Sequence, residues 1–585
     1  MTKKNSESKN GGAPYVPASA KGKPSKTPVE SSRKRKGQSE ADKEIRPRDG
    51  HYLIMARRRG NLLPSFATNL TFDALKDMES QGVHVRKRIS PKAVVAQSAF
   101  ENSGDVLVLS APIEKGLELK RTAHADLIVE ANHPLVHFAM PQAVQDPAPA
   151  SAPSTGENVQ LTIVDGTGRP VANTAVTMWG TGLPQQGQTD AQGKVTMAMY
   201  SPVAALYIKP FADFWERWIT RPALNPNGIN KVTLQKLESF PDAGFPGQGR
   251  PFVGWGQKLM RLDVPVQPTG KGVKIAIIDS GCDRTHPALT HIDPKNGTDF
   301  TADNNPFLDR MGHGTHCAGV IAGNGTKGIR GFVPEAEVHV LKLFPGGRFD
   351  SLIDAVRYCI EHEIDIVNCS LGADQSSEVV QTWIDDARQA GVALFVAAGN
   401  SSSTVQFPAR LPSVMAVAAI GQDARFPSNT YHAQTVGPTG ISTDGVFSAK
   451  FTCFGPEVRV CAPGVAVIST MPGHGYAAED GTSMAAPHIT GIAAMLLASD
   501  NELLAQPRGP ARVDRLFQKV MAAALQLNLP PALEGVGLPQ LGKPGKVAAA
   551  HAISYGAPAG NDLVQIITSA VARQILSALN SSYAA

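Results

Sequence analysis

No run of apolar residues in this chain approaches the roughly 20 needed to span a membrane as a helix, so a soluble protein is the expectation. Residues 1–12 are polar and lack the apolar stretch of a secretory signal, which leads to the expectation of a protein made in the cytoplasm that stays there or leaves by a non-classical route. Cysteine is scarce, and no two cysteines show metal-ligand spacing such as C-x-x-C. Cys282, Cys317, Cys359, Cys369, Cys453 and Cys461 all lie on apolar segments, where buried free thiols are expected. Charge of one sign is also lacking. Residues 1–50 hold 13 Lys or Arg against 6 Asp or Glu, a local excess larger than the +5 of the whole chain. The remainder is close to neutral, and no nucleic-acid-binding or membrane-binding surface is implied.

What is present is enough chain for three or four folded units. Residues 1–49 are rich in Lys, Ser, Gly and Pro with few large apolar side chains, and a basic, disordered tail is expected. From residue 50 to 139 the texture is that of a small α+β unit. Strands are expected at 52–55, 93–96, 105–109 and 127–130, with a short helix at 71–80 capped by Thr71. A Pro- and Ala-rich linker, 140–156, follows. Residues 157–240 alternate short apolar runs with Asp-Gly and Gly turns, the pattern of a small β-sandwich. Between 250 and 555, apolar runs at 273–278, 338–344, 364–369, 392–398 and 414–420 alternate with helical periods at 351–362 and 378–390. This predicts an α/β fold, a parallel sheet buried by helices on both faces. Residues 556–585 close with an amphipathic helical pattern over 562–580, expected to dock on the core.

Candidate chemistry gathers where parallel strands end, because loops converge there. Asp279 directly follows the apolar run 273–278, a costly place for an acid unless something pairs with it. His313 lies in Gly-His-Gly-Thr-His-Cys-Ala-Gly at 312–319. The two histidines three apart have no third ligand at sensible spacing, so no metal site is expected. Ser483 opens the segment Ser-Met-Ala-Ala-Pro-His at 483–488, before an apolar helical stretch. Proline is tolerated only in a helix's first turn, which puts Ser483 at a helix N-terminus where the dipole favours developing negative charge. Asn400 ends the run 392–398 and can offer a side-chain amide at the same edge. Taken one at a time, a turn-capping Asp, a structural His and an N-cap Ser explain these residues as well.

In the order Asp, His, Ser on an α/β pattern, these segments resemble the subtilisin-like serine proteases, with Asn368-Cys369-Ser370-Leu371-Gly372, Ala398-Gly399-Asn400 and the match from 451 to 499 extending the likeness over about 253–553. The resemblance implies a serine endopeptidase with Ser483 as nucleophile, His313 as general base and then acid, Asp279 as the residue holding the imidazole tautomer, and Asn400 in the oxyanion hole. It further implies a polypeptide substrate held between Ser370, Leu371 and Gly372 on one edge and Gly346 and Gly347 on the other, with Ala398, Gly399 and Gln406 at the primary pocket. Gln406 stands where the family often has a small Gly, implying a shallower or more polar pocket. The segment 323–331 is shorter and poorer in oxygen ligands than the family's calcium loop, so neither calcium nor any other cofactor is expected. The unit 50–139 resembles the family's inhibitory propeptide, which would make the chain's own N-terminal unit an intramolecular inhibitor in a self-processing zymogen; an unrelated α+β module is the alternative. A catalytically silent protein that holds polypeptides in the same groove is the alternative reading of the whole.

Overall fold

In the computed structural model the described residues are 49–56, 75–91, 104–123, 127–137, 157–180, 184–199, 202–240, 251–262, 269–325 and 328–542. The basic tail, the expected strand at 93–96, the linker at 140–156 and the amphipathic pattern at 562–580 lie outside them.

Five apolar runs form the centre of an eight-stranded sheet. Its order is Gly297–Asp299, Glu337–Lys342, Lys274–Asp279, Ile366–Cys369, Ala393–Ala397, Met415–Gln422 and Val446–Ser448, with Val458–Pro463 also paired to Met415–Gln422. All pairings are parallel except that of Val446–Ser448. Ile275 to Ile278 are fully buried, as expected of strands covered by helices on both faces. The first of this sheet's strands along the chain, Lys274–Asp279, sits inside the sheet; later strands add on either side of it. This makes its carboxyl end the switch point of the topology, where open α/β sheets place their ligands. Gly297–Asp299 and Val458–Pro463 were not expected as strands. The first is three polar residues long and the second carries Arg459 and ends on proline, so neither shows an apolar run.

The N-terminal unit is a four-stranded antiparallel sheet ordered His84–Ile89, Val106–Pro112, Asp49–Ala56 and Leu127–Ala131, crossed by the helix Ile113–Thr122. Its faces follow the period-2 rule. Tyr52, Ile54, Leu107 and Leu109 turn to the unit's own small core. Leu53, Met55, Val106, Val108 and Ile128 join the core of the large sheet. Gly116 lets the helix approach the sheet closely, since a Cβ there would lie 1.9 Å from the Tyr52 ring. Neither that helix nor the charged strand His84–Ile89 was expected from the sequence. Of the helix expected at 71–80, the described residues show helix at Leu75 and Lys76, then a turn and a 3-10 segment, Glu79–Gln81, ended by Gly82 at φ +83°.

Residues 157–240 form two facing sheets. One holds Arg217–Thr220, Ala205–Lys209, Ala175–Trp179 and Gln185–Gln188; the other Asn230–Thr233, Glu157–Val164 and Lys194–Met199. Val159, Leu161, Ile163, Val176, Leu206 and Ile208 fill the space between them, giving this unit a core of its own. All six cysteines are buried and unpaired. No described helix is long and apolar enough to cross a membrane.

Candidate active site

Asp279 is the last residue of the central strand and is 1% exposed. His313 begins the helix His313–Ala322, after Gly312 at φ +82°. Its Nδ1 lies 2.7 and 2.9 Å from the two oxygens of Asp279, and with a carboxylate as acceptor the ring nitrogen donates. Burial works against an imidazolium here, but the Asp279 charge and hydrogen bond outweigh it, so the His313 pKa lies above its ordinary 6.5. Gly314 makes this approach possible: a Cβ there would come within 2.1 Å of the Gly281 carbonyl oxygen.

Asp309, which sequence reasoning missed, builds the turn before His313. Its carboxylate accepts from the N–H groups of Met311, Gly312 and Thr315 and from the hydroxyls of Thr315 and Ser280. An Asp in a polar loop four residues before a histidine carries no signal of this, because its donors are set by how the loop folds back. His316 Nε2 lies 2.8 Å from the Val467 carbonyl, and burial lowers its pKa to about 4; a neutral ring tying the helix to a neighbouring hairpin, not a metal ligand, is what this describes. Asp279, His313 and Cys317 converge within 4.8 Å. Burial, with Asp279 beside it, pushes the Cys317 thiol well up, and a protonated thiol is a poor metal donor.

Ser483 is the second residue of the buried helix Thr482–Ala498, with Pro487 in its early turns. Cys317 Sγ reaches the Ser483 carbonyl at 3.5 Å, and the Ser370 hydroxyl donates to the same oxygen at 3.0 Å. The Ser483 hydroxyl itself donates to the Ser370 carbonyl at 3.3 Å, while His313 Nε2 is buried without a hydrogen-bond partner among the described residues. The carboxylate and imidazole are therefore joined, and the serine oxygen is turned to the strand edge. Asn400 Oδ1 accepts from the Thr482 N–H at 2.9 Å and its hydroxyl at 2.8 Å, which fixes the amide plane with its NH2 on the other side.

The edges expected to hold a polypeptide are occupied by this chain's own residues. Val136–His137 pairs antiparallel with Leu371–Gly372, and the Leu135 N–H donates to the Gly347 carbonyl at 2.9 Å. Residues 133–137 thus run as a third strand between the two edges, with the His137 ring 5.4 Å from that of His313. Burial, and then the charge on His313, lowers the His137 pKa to about 4. Behind this strand, Asn132 is 2% exposed; its amide donates to Asp350 at 2.7 Å and accepts from the Asp350 N–H at 3.2 Å. Arg348 donates to the Asn132 carbonyl through two nitrogens. Ala398, Gly399 and Gln406 lie together, the Gln406 N–H donating to the Ala398 carbonyl at 2.9 Å. Gln406 is 4% exposed, its NH2 bound to Asp374 at 2.7 Å, and a Cβ on Gly399 would meet its Oε1 at 2.4 Å. The Phe407–Pro408 bond is cis.

A parallel α/β sheet that presents a paired carboxylate and imidazole, a helix-terminal serine and a strand-lined groove at one switch point defines the architecture of an acyl-transfer site. A model of the subtilase family matches residues 270–537. The chain is 36% identical over 240 residues to subtilisin amylosacchariticus of Bacillus subtilis subsp. amylosacchariticus, covering 39% of this chain and 56% of that protein. It is 35% identical to the subtilisin of Bacillus pumilus, of which it covers 78%, and 29% identical to the major intracellular serine protease of Bacillus subtilis, of which it covers 84%. Among solved structures it resembles an S41 psychrophilic protease, with a TM-score of 0.41 at 27% identity, covering 49% of this chain and 97% of that one. The first of these relatives is thus matched over little more than half its length. The chain belongs to the subtilase family.

Proposed function

We propose that this protein is a serine endopeptidase whose N-terminal unit, residues 50–139, restrains it until cleaved. The observation that carries the reading is the Asp279–His313 hydrogen bond beside a serine at a helix N-terminus, at the end of a groove that already holds a peptide strand. In this reading Ser483 Oγ leaves the Ser370 carbonyl by rotation about its Cα–Cβ bond and gives its proton to His313 Nε2 as it attacks the peptide carbonyl. Asp279 keeps the imidazole in the tautomer that presents a bare Nε2 and stabilises the imidazolium that forms. The Ser483 N–H and the Asn400 NH2 receive the oxyanion. His313 then protonates the leaving amine, and water, activated by the same imidazole, hydrolyses the ester.

The register of the bound strand supports the self-processing part of this reading. His137 faces Leu371; carried on in the same register, the next residue would fall level with Ser370, whose carbonyl the Ser483 hydroxyl touches. The bond proposed to be cut is accordingly Phe138–Ala139. A fluorophosphonate should label the full chain at Ser483 once the groove is vacated, with labelling lost in Ser483→Ala, and intact-mass measurement should find cleavage after residue 138. Absence of labelling after proteolytic removal of residues 1–250 would sink the enzyme reading in favour of a silent polypeptide-binding protein.

A further inference from the structure

The β-sandwich stands directly against the candidate active site, and its contact is ordered down to single hydrogen bonds. The Asp213 N–H donates to the Tyr476 carbonyl at 2.6 Å and the Tyr476 N–H returns to the Asp213 carboxylate at 3.1 Å. Lys209 forms an ion pair with Glu479 at 2.6 Å, and both side chains are largely buried. A Cβ on Gly475 would lie 2.7 Å from Cβ of Ala212, so the loop after the strand Ala205–Lys209 is seated on the hairpin of Val467–Thr470 and Tyr476–Glu479. That hairpin ends four residues before Ser483.

The loop carries Phe211, which is 41% exposed although its neighbours are pinned. Phe211 and Lys209 from the sandwich, with Met311, Gly312, His313 and Met471 from the large sheet's loops, line one cleft. None of Gly347, Leu371 and Gly372, which hold the bound strand 134–137, borders it. His313 borders both the groove, where the His137 ring lies 5.4 Å from it, and this cleft, so the cleft adjoins the site on a side those edges do not occupy. Its walls include an aromatic ring and two flexible thioethers, side chains that adapt around an apolar guest, together with the polar Asn173 and Gln188 of the sandwich. The Lys209–Glu479 pair neutralises the charge at its edge.

We propose that the β-sandwich is part of the substrate site: Phe211, with Met311 and Met471, forms a pocket that selects a large apolar side chain on the residue following the scissile bond. The proposal rests on the endopeptidase reading and adds to it a specificity determinant from outside the sheet that carries the candidate triad. A leaving-group pocket is read by acyl transfer. In that step an added amine attacks the Ser483 ester, the new amide bond forms, the Ser483–acyl bond breaks, and the serine recovers its proton through His313.

The test uses the full chain after release of the N-terminal unit, one short peptide ester as acyl donor, and glycinamide, leucinamide or phenylalaninamide as acceptor. The unaltered chain should transfer to leucinamide and phenylalaninamide well above glycinamide. Phe211→Ala should reduce that ratio about tenfold, the scale expected when an apolar pocket loses a wall. Phe211→Asp should move the preference toward lysinamide. Equal transfer to all three amides, or an unchanged ratio in Phe211→Ala, overturns the pocket while leaving the endopeptidase reading standing. Failure of the ester to acylate Ser483 at all refutes the endopeptidase reading, and the pocket with it.

Discussion

If residues 50–139 restrain the enzyme, removing one buried contact behind the bound strand should open the groove by a calculable factor. Asn132 is the contact to remove. It is almost completely buried, and its amide satisfies both the carboxylate and the N–H of Asp350 at the start of the helix Phe349–Glu361. Asn132→Ala deletes both bonds and leaves two polar groups short of partners in the docked state, while exposing them to water when the strand departs. The cost of leaving a buried group unsatisfied is about 1–3 kcal/mol. The bonds from Arg348 go to the main-chain carbonyl of residue 132 and survive the substitution. The vacant fraction of the groove should therefore rise by about 5- to 150-fold. The factor is the same whether the connection at 138–156 is intact or cut, because the same bonds are lost. The assay is the rate of fluorophosphonate labelling at Ser483, since the probe reacts only with an open groove. A rate within twofold of the unaltered chain, in a variant with an unchanged unfolding midpoint, would show that this unit does not restrain the site.

Two further expectations concern protons. Because the Asp279 carboxylate raises the His313 pKa above 6.5, the imidazole holds its proton to higher pH, and activity should fall on the acid side through a midpoint above 6.5. Asp279→Asn removes the charge, so the midpoint in kcat/KM should move down while the maximum rate also drops; an unmoved midpoint would separate the two residues functionally. At the sandwich contact, burial opposes charge on His432, but Asp480 and Glu216, with Glu479 near, push its pKa up to about 9, and Lys209 and Tyr207 complete the cluster. The raised value means stability present in full below the unfolded value near 6.5 and lost as pH rises through about 9. At roughly 1.4 kcal/mol per unit this amounts to about 3 kcal/mol. The unfolding midpoint should decline across that window and the decline should vanish in His432→Gln; a pH-independent midpoint in the unaltered chain would contradict the cluster's charge state.

Much of the large sheet could be read without coordinates. Five apolar runs became five of its strands within a residue or two, because strands buried on both faces need unbroken apolar side chains, and that need is local. The order Asp279, His313, Asn400, Ser483 along such strands and helix starts was visible for the same reason. Elements whose burial is one-sided or whose neighbours are remote were not visible. The strand His84–Ile89 is charged, with Arg86 and Arg88 exposed and Lys87 paired to Asp354, and the helix Ile113–Thr122 contains a glycine that a local reading counts against a helix, although contact with Tyr52 requires it.

By itself, then, the sequence determined the α/β class, the family likeness and which four side chains stand at the ends of sheet strands or starts of helices, since these depend on residues a few positions apart. Only the tertiary structure decided that the strand 133–137 lies between the two edges, that Asp309 ties the His313 turn, that the Ser483 hydroxyl points to Ser370, and that the sandwich places Phe211 beside His313. Apart from the Asp309 turn, whose donors other than Ser280 lie within six residues of it, each of those is a contact between segments tens to hundreds of residues apart. Their partners are chosen by which surfaces fit when whole units pack, and no local pattern along the chain encodes that fit.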